Sequence, residues 1–189
     1  MHVTLRSALR PLRSQYVFPT VRRAIAQASR RSPDFRVVHF SVQEDHVHLL
    51  VEAAHSPALS AGMRGLVIRI ARQVNKLLFR RGRVWSDRWH GRALTSPRAV
   101  RHAIVYVLAN FRKHEAHSIA SLDPYSSAPD FEGFREYLGG SARMALRGGA
   151  NAHAQVSSLP PPLPRARTWL LAQSWRKRLF SVHDRPRGS

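Results

Sequence analysis

The amino-acid sequence predicts an α+β domain of ferredoxin-like βαββαβ order, a four-stranded antiparallel sheet with two helices on one face. An additional C-terminal helix carrying a tyrosine follows, and then a loosely structured tail. Three observations lead there. Short apolar runs of strand character alternate with stretches of helical period. Two of those runs are adjacent and joined by a tight polar turn. The composition changes near residue 117.

His2–Arg6 reads as a short strand, and Phe18–Ser29 as a helix with Thr20 as N-cap. Phe35–Val42, rich in Phe and Val, reads as a strand. Gln43-Glu44-Asp45 makes the turn, and His46–Ala53 is the returning strand of a hairpin. Ser56-Pro57 opens a long helix, with Ser56 as cap and Pro57 in the first turn. Leu59, Met63, Leu66, Ile70, Val74 and Leu77 form its apolar stripe, with Arg64, Arg69, Arg72 and Lys76 off it. Gly82 is the expected stop. Val84–Thr95 reads as extended. Ser96-Pro97 opens the last helix, expected to run to about His114 and to cover part of the second sheet face.

The chain of 189 residues divides into a compact domain, residues 1–117, and a Pro/Gly/Ala-rich tail, residues 118–189. The first part holds 21 Lys/Arg against 6 Asp/Glu, the second 10 against 5. The tail is expected to dock near its start and otherwise to be flexible. A short helix over Trp169–Phe180 is expected to bring Trp169, Leu170 and Trp175 back onto the domain.

The net charge is +20 and the isoelectric point about 11.9. Such a charge opposes compaction unless a polyanion is at hand, so nucleic acid is the first candidate partner and an anionic membrane surface the second. Nearly all of it is arginine, whose planar fork suits phosphate. The absence of cysteine excludes disulfides, thiolate metal sites and a thiol nucleophile. No apolar run approaches a membrane span and the N-terminus has no signal-peptide pattern, so a cytoplasmic protein is expected.

Two features carry chemistry. In His46-Val47-His48, residues two apart on a strand point to one face, so both imidazoles project together and can chelate a divalent metal. Asp45 or the same-face Glu52 could orient them. On the last helix, an advance of about 100° per residue puts Asn110 about 40° from Tyr106, with His102 and Lys113 close by. Val100, Ile104, Leu108 and Phe111 fall on the opposite side. Tyr106 therefore sits in a polar stripe. A phenol is a weak nucleophile at neutral pH, and a metal beside a phosphate would polarise its oxygens. No phosphate-binding loop is present. Trp85 and Trp89, interleaved with Arg83, Arg88 and Arg92, offer a surface on which bases could stack while Arg follows the phosphates. Their alternation also allows both tryptophans to be buried. Tyr16, Tyr125 and Tyr137 lack an Asn four residues on.

His39-Phe40-Ser41-Val42-Gln43 followed by Asp45-His46-Val47-His48-Leu49-Leu50-Val51-Glu52 resembles the HUH-type single-strand tyrosine transposases, and more closely their REP-associated branch. Gly62-Met63-Arg64-Gly65-Leu66, Arg72-Gln73-Val74-Asn75, Gly82–His90, Tyr106-Val107-Leu108-Ala109-Asn110 and Asp123-Pro124-Tyr125-Ser126-Ser127 extend the resemblance over roughly residues 2–135. Phe111 stands where many REP-associated members have Pro.

The resemblance implies a DNA transposase. His46, His48 and Asn110 would bind Mg²⁺ or Mn²⁺, and Tyr106 would form a 5′-phosphotyrosine on single-stranded or hairpin DNA. Arg83, Arg88, Arg92, Trp85, Trp89 and Lys113 would contact the DNA. It implies a monomer or a homodimer. The alternative is a non-catalytic, domesticated nucleic-acid-binding regulator on the same fold.

Overall fold

The computed structural model describes residues 1–109, 122–137, 163–176 and 178–186. Four strands form one antiparallel sheet: β1 (His2–Arg6), β2 (Phe35–Val42), β3 (His46–Ala53) and β4 (His90–Arg92). Their order is β2-β3-β1-β4. Helices α1 (Phe18–Ala28) and α2 (Ser56–Leu77) connect them. Helix α3 (Pro97–Ala109) follows β4, and a short α4 spans Trp169–Ala172. This is the ferredoxin-like order read from the sequence, and β1 lies inside the sheet, between β3 and β4.

Alternation along the strands makes two cores. Val3, Leu5, Val47, Leu49 and Val51 face α1 and α2, where Ile25, Met63, Leu66 and Ile70 are fully enclosed. Gly62 permits this approach, since a Cβ there would lie 2.1 Å from the Phe35 ring. The second face holds His2, Thr4, His46, His48, Leu50 and Glu52 by the same alternation. It is covered by Val100, Ile104, Val107 and Leu108 of α3, with Phe131, Phe134, Leu171, Phe180 and Val182. Trp169 is 63% exposed, so the expected docking falls to Leu171, with Leu170 and Trp175 partly buried beside it.

The segment after α3 is fixed by buried charge pairs. Arg13 meets Asp123 at 2.8 Å and Arg22 meets Asp130 at 2.9 Å. Arg13 also stacks 4.5 Å from the Tyr125 ring centroid. Burial pushes the Asp123 carboxyl upward, opposed by Arg13. Among the described residues no helix is long and apolar enough to cross a membrane.

Several boundaries differ from expectation. Thr20 does not cap α1: the helix begins at Phe18 after Val17, because Pro19 in the first turn lacks only an N–H that would be unpaired anyway. Ser56 is the first residue of α2, and the cap is His55, still extended, whose Nδ1 accepts from the Ala58 N–H at 3.1 Å. Helix α2 ends at Leu77, before Gly82, because Phe79 turns the chain with φ 49°. Of the expected extended segment 84–95, only His90–Arg92 is strand. The ladder breaks where Trp85 turns into the core and donates its indole N–H to the Val67 carbonyl at 3.0 Å. The expected helix over Trp169–Phe180 is the single turn Trp169–Ala172.

Candidate functional site

The site is assembled on the second sheet face from three elements. Strand β3 contributes His46 and His48, whose ring centroids lie 4.6 Å apart at 79°. Helix α3 brings Tyr106 over them: its ring lies 4.9 Å from that of His48, at 81°. The helix delivers it because Val100, Ile104 and Leu108 are buried against the sheet while Ser96 Oγ accepts from the Ala99 N–H at 3.2 Å, anchoring the first turn. Tyr106 is half-buried at the margin of that apolar face.

Strand β1 supplies residues that the sequence reading missed. In the register Thr4 pairs with His48 and Arg6 with His46. His48 Nδ1 lies 3.1 Å from Thr4 Oγ1 and 3.3 Å from His2 Nε2. The His2 ring also lies 5.5 Å from that of Tyr106. Burial, with the nearby N-terminal charge and Arg92, lowers the His2 pKa to about 4, so this imidazole is neutral at physiological pH. The signal was available: alternation puts His2 and Thr4 on one face, and the ferredoxin-like order sets β1 beside β3.

Of the two expected orienting carboxylates, Asp45 has the role. Its Oδ1 is 2.7 Å from His46 Nδ1, and that hydrogen bond is the main cause of its lowered pKa. Glu52 does something else. It accepts from the backbone N–H groups of Arg167 and Thr168 at 2.8 and 2.9 Å, and lies 3.7 Å from Arg36 Nε. A strand residue thereby holds the chain entering α4.

With Nδ1 of both site histidines engaged by neighbours, Nε2 is the nitrogen of each ring that could bind a divalent metal. Among the described residues no group of three or more His, Cys, Asp or Glu could hold a metal. The expected third ligand, Asn110, lies outside the described residues, as does Lys113.

Arg83, Arg88 and Arg92 are exposed. Trp85 is only 8% exposed and belongs to the core, so its face is not offered to a base. Trp89 packs partly against the same core.

Comparison with known proteins agrees with this architecture. No curated protein matches. One solved structure, described as a REP-associated tyrosine transposase bound to a REP hairpin, superposes with a TM-score of 0.53 at 23% identity, covering 67% of this chain and 74% of that one. It shares the fold. The model of the family described as "Transposase IS200 like" matches residues 3–97, a span that contains the His46/His48 pair and ends before Tyr106. A match over half the chain, on the strands and helices that build this sheet, places the protein in the IS200-like transposase family.

Proposed function

We propose that this transposase cuts and rejoins single-stranded DNA through Tyr106. The observation that carries the reading is the convergence on His48 of β3, whose ring lies 4.9 Å from that of Tyr106 on α3 and 4.6 Å from that of His46. A phenol, a pair of imidazoles and a surplus of arginine suit attack on a phosphodiester. Tyr106 Oη would form a bond to phosphorus, and the bond from phosphorus to the 3′ oxygen would break. The departing oxygen would gain the proton that the phenol loses to solvent. The product is a 5′-phosphotyrosine and a free 3′-OH, and attack by another 3′-OH reverses it. No nucleotide cofactor is needed, because phosphodiester energy is conserved.

His46, His48 and Asn110 would hold Mg²⁺ or Mn²⁺, which when bound supplies charge for the phosphate oxygens. Asp45 fixes the His46 ring and Thr4 with His2 fixes that of His48. The hairpin carried by the structural relative supports a hairpin with single-stranded flanks as substrate.

The test is incubation of the protein with labelled hairpin DNA in Mn²⁺ or EDTA, beside Tyr106→Phe, read on a denaturing protein gel. A metal-dependent adduct absent from the variant is expected. Binding without any adduct over a broad pool of hairpins would instead favour the non-catalytic regulator.

A further inference from the structure

Helix α2 ends in a way that costs the fold twice. The Arg80 N–H donates to the Asn75 carbonyl at 2.9 Å and the Phe79 N–H to the Lys76 carbonyl at 3.3 Å. This is a Schellman motif with Phe79 at the left-handed position, φ 49°, where glycine is usual. A bulky aromatic residue is disfavoured there, and the position returns nothing to the core, since Phe79 is 96% exposed. The loop is nevertheless held firmly: Asn75 Nδ2 donates to the Gly82 carbonyl at 2.8 Å and Arg83 to the Ser86 carbonyl at 2.8 Å. A second exposed aromatic, Tyr16, donates its hydroxyl to the Leu77 carbonyl at 3.3 Å, at the same helix end.

The chain that forms this helix and loop is strongly basic. Between Glu52 and Asp87 the chain has no acid and seven Lys/Arg. Of these Arg64, Arg72, Lys76, Arg81 and Arg83 are exposed. A second copy of this chain would meet like charge, whereas a polyanion with flat apolar faces meets both features of the patch.

Its place in the fold connects it to the reaction centre. Helix α2 runs back along the sheet from the end of β3, so its C-terminus reaches the end where β3 begins. After the loop, Val84 accepts from the Ala8 N–H at 2.9 Å and Ser86 donates to the Arg6 carbonyl at 3.0 Å. Arg6 is the register partner of His46. The Phe79 loop, on the α2 side of the sheet, and His46, on the other face, therefore lie at the same end of it.

We infer that Phe79 is a stacking platform for an unpaired base of the single-stranded DNA that leaves the reaction centre around this end of the sheet, with Arg81 and Arg83 on its phosphates. The inference rests on the DNA reading proposed above. Asn is accepted at the left-handed position, so Phe79→Asn keeps the helix end while removing the ring.

Fluorescence anisotropy with hairpin DNA bearing a random single-stranded flank tests it. A stacked base contributes a factor of roughly 5 to 150 in affinity. Phe79→Asn is expected to weaken binding by that factor with an unaltered salt dependence, and Phe79→Trp to restore it. Binding by Phe79→Asn within about twofold of the parent would overturn the inference. The Tyr106 adduct reads the proposed chemistry separately. An adduct with unchanged Phe79→Asn binding removes only the platform, and a Phe79 effect without adduct removes only the catalytic reading.

Discussion

The rings of His48 and Tyr106 meet edge to face, 4.9 Å apart at 81°. This contact uses the tyrosine ring and not its hydroxyl. Tyr106→Phe keeps this ring contact and should stay folded while abolishing the covalent adduct. Thermal unfolding and the denaturing gel read the two effects. A large loss of stability in the variant would mean that the hydroxyl serves the fold.

His2 should behave as a positioning residue. It touches His48 and Tyr106 but is no expected ligand. His2→Ala is expected to lower metal affinity or activity by about 10- to 100-fold, as removal of groups that orient metal ligands does. Titrating Mn²⁺ against adduct formation checks this, and excess metal should rescue part of the loss.

Glu52 clasps the chain at Arg167 and Thr168. Glu52→Ala removes the acceptor of the Arg167 and Thr168 N–H groups and leaves the buried Arg36 without its carboxylate. A loss of about 3 kcal/mol is expected. Limited trypsin digestion should then cut at Arg165 or Arg167 before the sheet domain is attacked. Simultaneous loss of all fragments would show that the clasp is not a separable element.

Phe79→Gly should raise stability by about 1 kcal/mol, because glycine enters the left-handed region without a Cβ penalty. Trp85→Ala should do the reverse, costing about 3–5 kcal/mol as a core truncation. Denaturant midpoints distinguish the two residues, one kept at the expense of the fold and the other kept for it.

Stability should fall on acidification. Burial lowers the His39 pKa to about 4, so this ring stays neutral in the fold while the unfolded chain binds a proton near pH 6.5. A depressed histidine pKa makes the folded state bind fewer protons, so its contribution is present above about pH 6.5 and is lost as the pH falls toward 4. His2, likewise lowered to about 4, acts in the same direction. Asp123, raised by burial, acts in the opposite one. The loss from His39 alone approaches about 3 kcal/mol at the acid end. Urea midpoints at several pH values should show His39→Gln to be less acid-sensitive than the parent. Equal slopes would place His39 in contact with water.

Local pattern determined most of the sheet's elements by itself. The strands His2–Arg6, Phe35–Val42 and His46–Ala53 carry apolar alternation strong enough to set their bounds, and their order with the helices defines the ferredoxin-like sheet. The pairing of His46 with His48 also follows from the two-residue strand period. Only tertiary structure decided what those side chains meet. Val47 could not reveal that β1 would bring Thr4 and His2 to His48, because that contact depends on the register between strands more than forty residues apart. Glu52 looked like a partner for the histidines because it shares their face, but the chain at Arg167 and Thr168 reached it first. The burial of Trp85 and the exposure of Phe79 were decided in the same way. The ladder broke where an indole could be buried and hydrogen-bonded, and the left-handed end of α2 turned a phenylalanine outward. Strand and helix periods are properties of short segments, whereas burial is decided by which segments come to lie against one another.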